Sequence, residues 1–348
     1  MAIIFTHIHQ VFDIPESLRI VPRFGQMGCQ IFLVISGFFA YKPLTTYKET
    51  NGNWNRETIV AYYKKRLKRI VPGYWMTICL GIIVTTCSVC IFGENYTSIS
   101  TKITDIVINV LLLNGITPTS ANNHIVRGGW FVGTLVILYL LKPLLIRFYD
   151  TCRQKKLIPL ITVAICATIL ISVGKYFPMW ECNNNSIPYF SFVNQLPCYI
   201  LGFRLKDLYN NKQLSSISYP LIKGMLLAII GISLFYIGII KSCWIMFTIV
   251  PFICSSAFYF FSCYYLTKER KTQHKIGNVV AKFGNLDYSI MLIHPFIVFD
   301  LCKVLLHYTE LPHIELFIIL TPIWYITIYY ISLLYNNIIN RFTGLIFK

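Results

Sequence analysis

The sequence predicts an all-α polytopic membrane protein, with about ten transmembrane helices packed as a single integral-membrane domain over residues 1–348 and an apparently truncated first helix. Three observations predict it. The chain is 55% hydrophobic and only 13% charged, about half the charge usual in a soluble domain. Its mean hydropathy is +0.60, and the apolar residues come in blocks long enough to cross a bilayer. The lysines and arginines gather on alternate loops between those blocks.

Taken in order, the spans fall near 1–12, 25–42, 70–92, 128–149, 157–175, 190–207, 219–240, 244–266, 285–306 and 315–340. The stretch 104–114 is apolar but too short to cross, and is expected to lie at the interface or re-enter. The first span is also short. Twelve helical residues rise about 18 Å, against about 30 Å of hydrocarbon. Either this helix begins mid-membrane or the native start lies upstream of Met1, and the second is the expectation. Gly224, Gly231 and Gly238, seven apart, mark one helix face for close packing.

Loop charge orients the bundle. With the N-terminus inside, the inner loops and the C-terminal tail hold 22 of the 31 Lys and Arg, and the outer loops hold 6. Lys142, Lys223 and Lys303 sit within spans. The asymmetry predicts both termini on the cytoplasmic side. The densest cluster, Lys64, Lys65, Arg66, Lys68 and Arg69, abuts the apolar run that starts at Ile70.

Several function classes are excluded. The net charge of +17 does not indicate nucleic acid, because the cations lie in short loops facing membrane lipids. Most of the twelve cysteines lie in apolar runs and act as small hydrophobes. Cys87 and Cys90 form a C-x-x-C with no second Cys/His pair, so no metal site is expected.

Ionisable residues inside spans are candidates for function. They are His7, His9, Lys142, Lys223, Asp287, His294, Asp300 and Lys303. Lys142 and Lys223 lie near inner ends and can snorkel, and Asp300 and Lys303 are spaced to pair. His7 and His9, two apart, point about 200° from each other, so only one can face a pocket. Either suits a general base, and Asp13 and Glu16 stand close enough in sequence to orient an imidazole. Arg66 and Arg69, three apart, present two guanidiniums that could fork onto phosphate oxygens, or simply anchor the inner end of the span.

Six ordered segments resemble the integral-membrane acyltransferase 3 family, which O-acylates bacterial surface and secreted sugars. AIIFTHIH resembles its first helix, MGCQIFLVISGFF its S-G-F helix, and KKRLKRIVPGYW its R-x-x-R entry to the third span. GGWFVGTLVILYLLKPLL, NQLPCYILGFRL and FGNLDYSIMLIHPFIV resemble three later helices. The resemblance implies ten core helices in a bacterial inner membrane. It implies acyl-CoA, usually acetyl-CoA, as co-substrate with no bound cofactor, and a glycan or lipid-linked sugar hydroxyl as acceptor. It places the catalytic base on His7, with His9 as the alternative, and donor contacts on Arg66 and Arg69. Matching pocket positions are Ser36, Tyr74, Trp130, Tyr139, Tyr288, Ser289 and His294. The family pairs its histidine with an arginine eleven residues upstream, which here would fall before residue 1. The rival readings are a transporter or flippase of an anionic or lipid-linked sugar, and an inactive truncated member.

Overall fold

The computed structural model describes residues 2–42, 56–92, 103–116, 125–155, 187–240, 245–268, 284–309 and 311–346. Every regular element among them is helical. In chain order the principal ones are α1 (Ala2–Val11), α2 (Glu16–Phe24), α3 (Gly28–Ala40), α4 (Arg56–Phe92), α5 (Ile103–Val110) and α6 (Gly129–Gln154). There follow α7 (Phe192–Asn210), α8 (Pro220–Ile240), α9 (Ile245–Lys268), α10 (Asp287–Pro295), a π-helical segment Phe296–Leu301, α11 (Cys302–Tyr308) and α12 (His313–Ile346).

Six stretches are long and apolar enough to cross a bilayer: Glu57–Ser88, Gly129–Gln154, Pro220–Ile240, Phe247–Lys268, Asp287–Tyr308 and His313–Leu345. The protein is thus an all-α polytopic membrane protein. Three further predicted spans correspond to helices of another kind. α1 and α3 are short, with 10 and 13 residues. α7 has 19 residues but carries Asn194, Gln195, Arg204 and Asp207. The predicted span 157–175 lies outside the described residues. The stretch 104–114 forms α5 and a tight turn with Leu112 at φ 60°, too short to cross.

The chain divides into two compact units: residues 1–28, 65–133 and 273–348 form one, and 29–64 and 134–272 the other.

In the second unit, α8 and α9 pack closely through the predicted glycine face. A Cβ on Gly224 would meet the Phe261 ring at 2.8 Å, and one on Gly231 would meet Cys254 Sγ at 2.9 Å. Gly238 is buried on the same face. The polar groups of α7 are answered from within this unit. Gln195 Oε1 accepts from Gln30 Nε2 at 2.9 Å, and Asn194 Nδ2 donates to the Phe247 carbonyl at 2.9 Å. Asp207, with its side chain 2% exposed, accepts from Arg153, Arg204, Tyr149 and Asn211. Lys142 is buried, with Nζ 4.3 Å from the centre of the Tyr62 ring, so an aromatic face meets its charge.

In the first unit, α1 lies against α2 and the turn that follows it. Thr6 donates its hydroxyl to the Pro22 carbonyl at 2.7 Å. Gly25 makes the close approach possible, since a Cβ there would lie 2.3 Å from the Ala2 oxygen. Phe5 then stacks on Phe317 of α12, and Phe12 meets the same ring edge-on. α4 is 37 residues long, about 55 Å. Its cationic first turns can therefore stand outside the hydrocarbon while the run from Ile70 crosses it.

Candidate active site

The site grows from α1 and α10, which pack together in the first unit. His7 of α1 is partly exposed. Its Nδ1 lies 3.1 Å from Gln10 Oε1, one helical turn on. An amide oxygen only accepts, so Nδ1 carries the hydrogen and Nε2 keeps a free lone pair. His9, on the opposite side of α1, is 4% exposed and sits in the core. Of the two histidines, His7 is the more exposed.

Asp13 and Glu16 do not orient His7. Asp13 Oδ1 accepts from Arg19 Nη2 at 2.7 Å, and Glu16 pairs with Arg23. Both carboxylates are exposed, where the short α2 holds its own arginines beside them. Gln10 does the orienting that was expected of them. An H-x-x-Q spacing on a helix was the available signal.

His294 of α10 comes to His7, with ring centres 5.2 Å apart and planes inclined by 31°. It is 4% exposed. Its Nδ1 lies 2.8 Å from the Ile290 carbonyl oxygen, so this ring too holds its hydrogen on Nδ1. Its Nε2 is buried and makes no hydrogen bond. Pro295 follows directly, and the helix continues as the π-helical segment 296–301. That segment turns Phe299 edge-on to His7, with ring centres 5.1 Å apart. Arg127 lies against the other part of this wall, its guanidinium carbon 4.2 Å from the Phe299 ring centre. Asp300 lies within range of the charges of both Arg127 and Lys303. Arg127 is not among the residues singled out from the sequence. Nothing local marks it, because 120 residues separate it from His7.

Arg66 and Arg69 lie on α4, the first partly exposed and the second exposed. The helix that carries His294 is tied to α4 beside them. Tyr288 donates its hydroxyl to the Ile70 carbonyl at 2.6 Å. Asp287, at the start of α10, lies within range of Arg69. Tyr288 and His294 are six residues apart, so about 9 Å of helix separates the arginine end from the histidine pair.

The remaining expected pocket residues have several placements. Tyr74 is fully buried, and its hydroxyl donates to Asn109 Oδ1 at 2.9 Å, joining α4 to α5. Trp130 is buried edge-on to Phe131. Ser289 is buried and donates to Asn336 Oδ1 at 3.3 Å. Tyr74 and Ser289 thus join helices within the first unit, while Trp130 packs on its chain neighbour. Ser36 and Tyr139 belong to the second unit, on α3 and α6, and both are partly exposed.

The sequence was compared with known proteins. A family model described as an acyltransferase domain matches residues 1–336. No curated protein and no solved structure gives a match. With that match running over nearly the whole chain, the protein belongs to the acyltransferase 3 family, whose members are membrane acyltransferases.

Proposed function

We propose that the protein moves an acyl group, most simply acetyl, from acyl-CoA to a hydroxyl of a cell-surface or exported glycan. The observation that carries this reading is His7. Gln10 holds its Nδ1–H, which leaves a lone pair on Nε2 of a partly exposed residue, as a neutral base requires.

In the reaction His7 Nε2 takes the proton of the acceptor hydroxyl as its oxygen bonds to the thioester carbonyl carbon. The tetrahedral intermediate then collapses. The carbon–sulfur bond breaks, the electron pair leaves on sulfur, and the proton on His7 passes to the departing thiolate. The products are the ester and free CoA. General-base help of this kind gives about 10²–10⁴-fold. Arg66 and Arg69 are suited to the phosphates of the donor, since guanidiniums fork onto phosphate oxygens. Their connection to α10 through Tyr288 supports a donor that lies along α10 with its thioester toward His7.

The reading places the chain in a bacterial inner membrane with both termini in the cytoplasm, where acyl-CoA is found. The inner-loop excess of Lys and Arg supports that orientation. The test uses the full chain in membranes supplied with radiolabelled acetyl-CoA, and follows label into glycan and lipid-linked sugar. His7→Ala abolishes transfer and His9→Ala does not. If both variants keep full activity, the mechanism is wrong. If no label is transferred at all and an anionic sugar moves across liposomes, the protein is a transporter.

A further inference from the structure

We propose that His294 is a positioning residue that holds the proton on His7, its bare Nε2 accepting the hydrogen that His7 Nε2 gains from the acceptor hydroxyl. The inference rests on His7 as the base.

Three observations lead there. Both imidazoles are locked in one tautomer, His7 by Gln10 and His294 by the Ile290 carbonyl. Each Nε2 is therefore an acceptor before reaction, and two acceptors cannot bond to each other. This explains why His294 Nε2 stands buried without a partner beside another polar ring. Such a group is costly, and a native structure that keeps one has a reason to.

The spacing fits one proton between the rings. Each ring nitrogen lies about 1 Å from its ring centre and a hydrogen bond from N–H to N spans about 3 Å, so an in-line pair has centres roughly 5 Å apart. The observed separation is 5.2 Å.

The energetics favour the same arrangement. When His7 becomes an imidazolium it has two N–H donors. Gln10 receives one, and the second needs an acceptor once the acceptor oxygen has become part of the ester. The charged and titratable groups nearby are His9 on α1, Arg127, and Asp300 and Lys303 on the segment after His294. Arg127 opposes a second positive charge on His7. His294 supplies the uncharged acceptor. In atoms, the proton goes from the hydroxyl oxygen to His7 Nε2, is shared with His294 Nε2 while the tetrahedral intermediate lasts, and ends on the thiolate sulfur. His294 leaves the cycle as it entered.

The test compares the full chain with its His7→Ala, His294→Leu and His294→Gln variants, in membranes supplied with radiolabelled acetyl-CoA across a pH series. His294→Leu is expected to lower kcat/KM about 10- to 100-fold, the value of a hydrogen bond to a charged group. It should leave the KM for acetyl-CoA unchanged and move the acidic limb of the pH profile about one pH unit lower. His294→Gln, which keeps an acceptor, should stay within about threefold of the parent with its limb in place. A His294→Leu variant with the parental limb overturns the proposal, as does a His294→Gln variant that falls as far as His294→Leu. If His294→Leu does not accumulate, the limb of the Gln variant decides. In place, it supports the proposal, and displaced, it overturns it. Activity retained by His7→Ala overturns the reading of His7 itself. Loss with His7→Ala, together with an unmoved His294→Leu, overturns only the role of His294.

Discussion

Gly37 of α3 and Gly202 of α7 meet backbone to backbone where the two helices cross. A Cβ on Gly37 would lie 2.1 Å from the Tyr199 carbonyl oxygen, and one on Gly202 would lie 2.1 Å from the Val34 oxygen. In each case the obstacle is main chain, which cannot swing aside. Gly37→Ala or Gly202→Ala should therefore force the helices apart and cost about 1–3 kcal/mol or more. Thermal unfolding of the detergent-purified protein would show this as a lowered midpoint for each variant. A midpoint equal to the parent would mean the crossing is looser than described. The S-G-F resemblance in this helix thus has a packing reason at its glycine.

His7→Ala should reduce transfer about 10²–10⁴-fold. Gln10→Leu should reduce it about 3- to 10-fold, because losing one neutral hydrogen bond frees the ring to take the other tautomer. Activity should also fall about tenfold per pH unit below the point at which His7 protonates, since the charged ring has no lone pair on Nε2. Rate against pH for the parent and both variants checks all three. A Gln10→Leu enzyme with parental rates would remove the amide from the site.

Arg69→Ala should raise the KM for acyl-CoA about tenfold with a smaller change in kcat, if the guanidinium binds donor phosphate in ground and transition states alike. Arg69→Lys should recover only part, because a lysine cannot form the forked contact. The same comparison applies to Arg66. A change in kcat alone, at constant KM, would place these residues outside donor binding.

Asp207 is the buried carboxylate toward which Arg153, Arg204, Tyr149 and Asn211 converge. Both arginines are about one-third exposed, so water screens part of what they would lose. Asp207→Ala should cost about 1–3 kcal/mol, short of the 3–5 kcal/mol for a fully buried broken pair. Unfolding midpoints at neutral pH measure it. A loss of transfer activity without a loss of stability would give Asp207 a role beyond this network.

What could be read in advance followed one rule. A helix was legible where eighteen residues together were predominantly apolar, as in α6, α8 and α12. α7 was legible as a helix, but the reason it tolerates polar residues was not. Gln195 depends on Gln30, 165 positions away, and Asp207 on Arg153, 54 positions away. Such partners leave no local periodicity. The same limit applied at the site. His7 and His294 each stood out as histidines within apolar runs, but nothing in either segment showed that they meet. Lys142 is a related case: its nearness to a helix end was legible, and the Tyr62 ring from another helix that covers its charge was not.

The π-helical segment after Pro295 has a consequence for sequence length. Such a segment amounts to an α-helix carrying one surplus residue. Deleting one residue from Phe296–Leu301 could restore an ordinary helix at little cost in backbone bonding. It would also turn everything beyond the deletion by about 100° about the axis. With the deletion ahead of Phe299, that ring would leave the edge of His7. In this stretch the number of residues sets the shape of the wall as much as their identity does. A one-residue gap at this point in a related chain would mark a differently shaped site, even where every side chain matched.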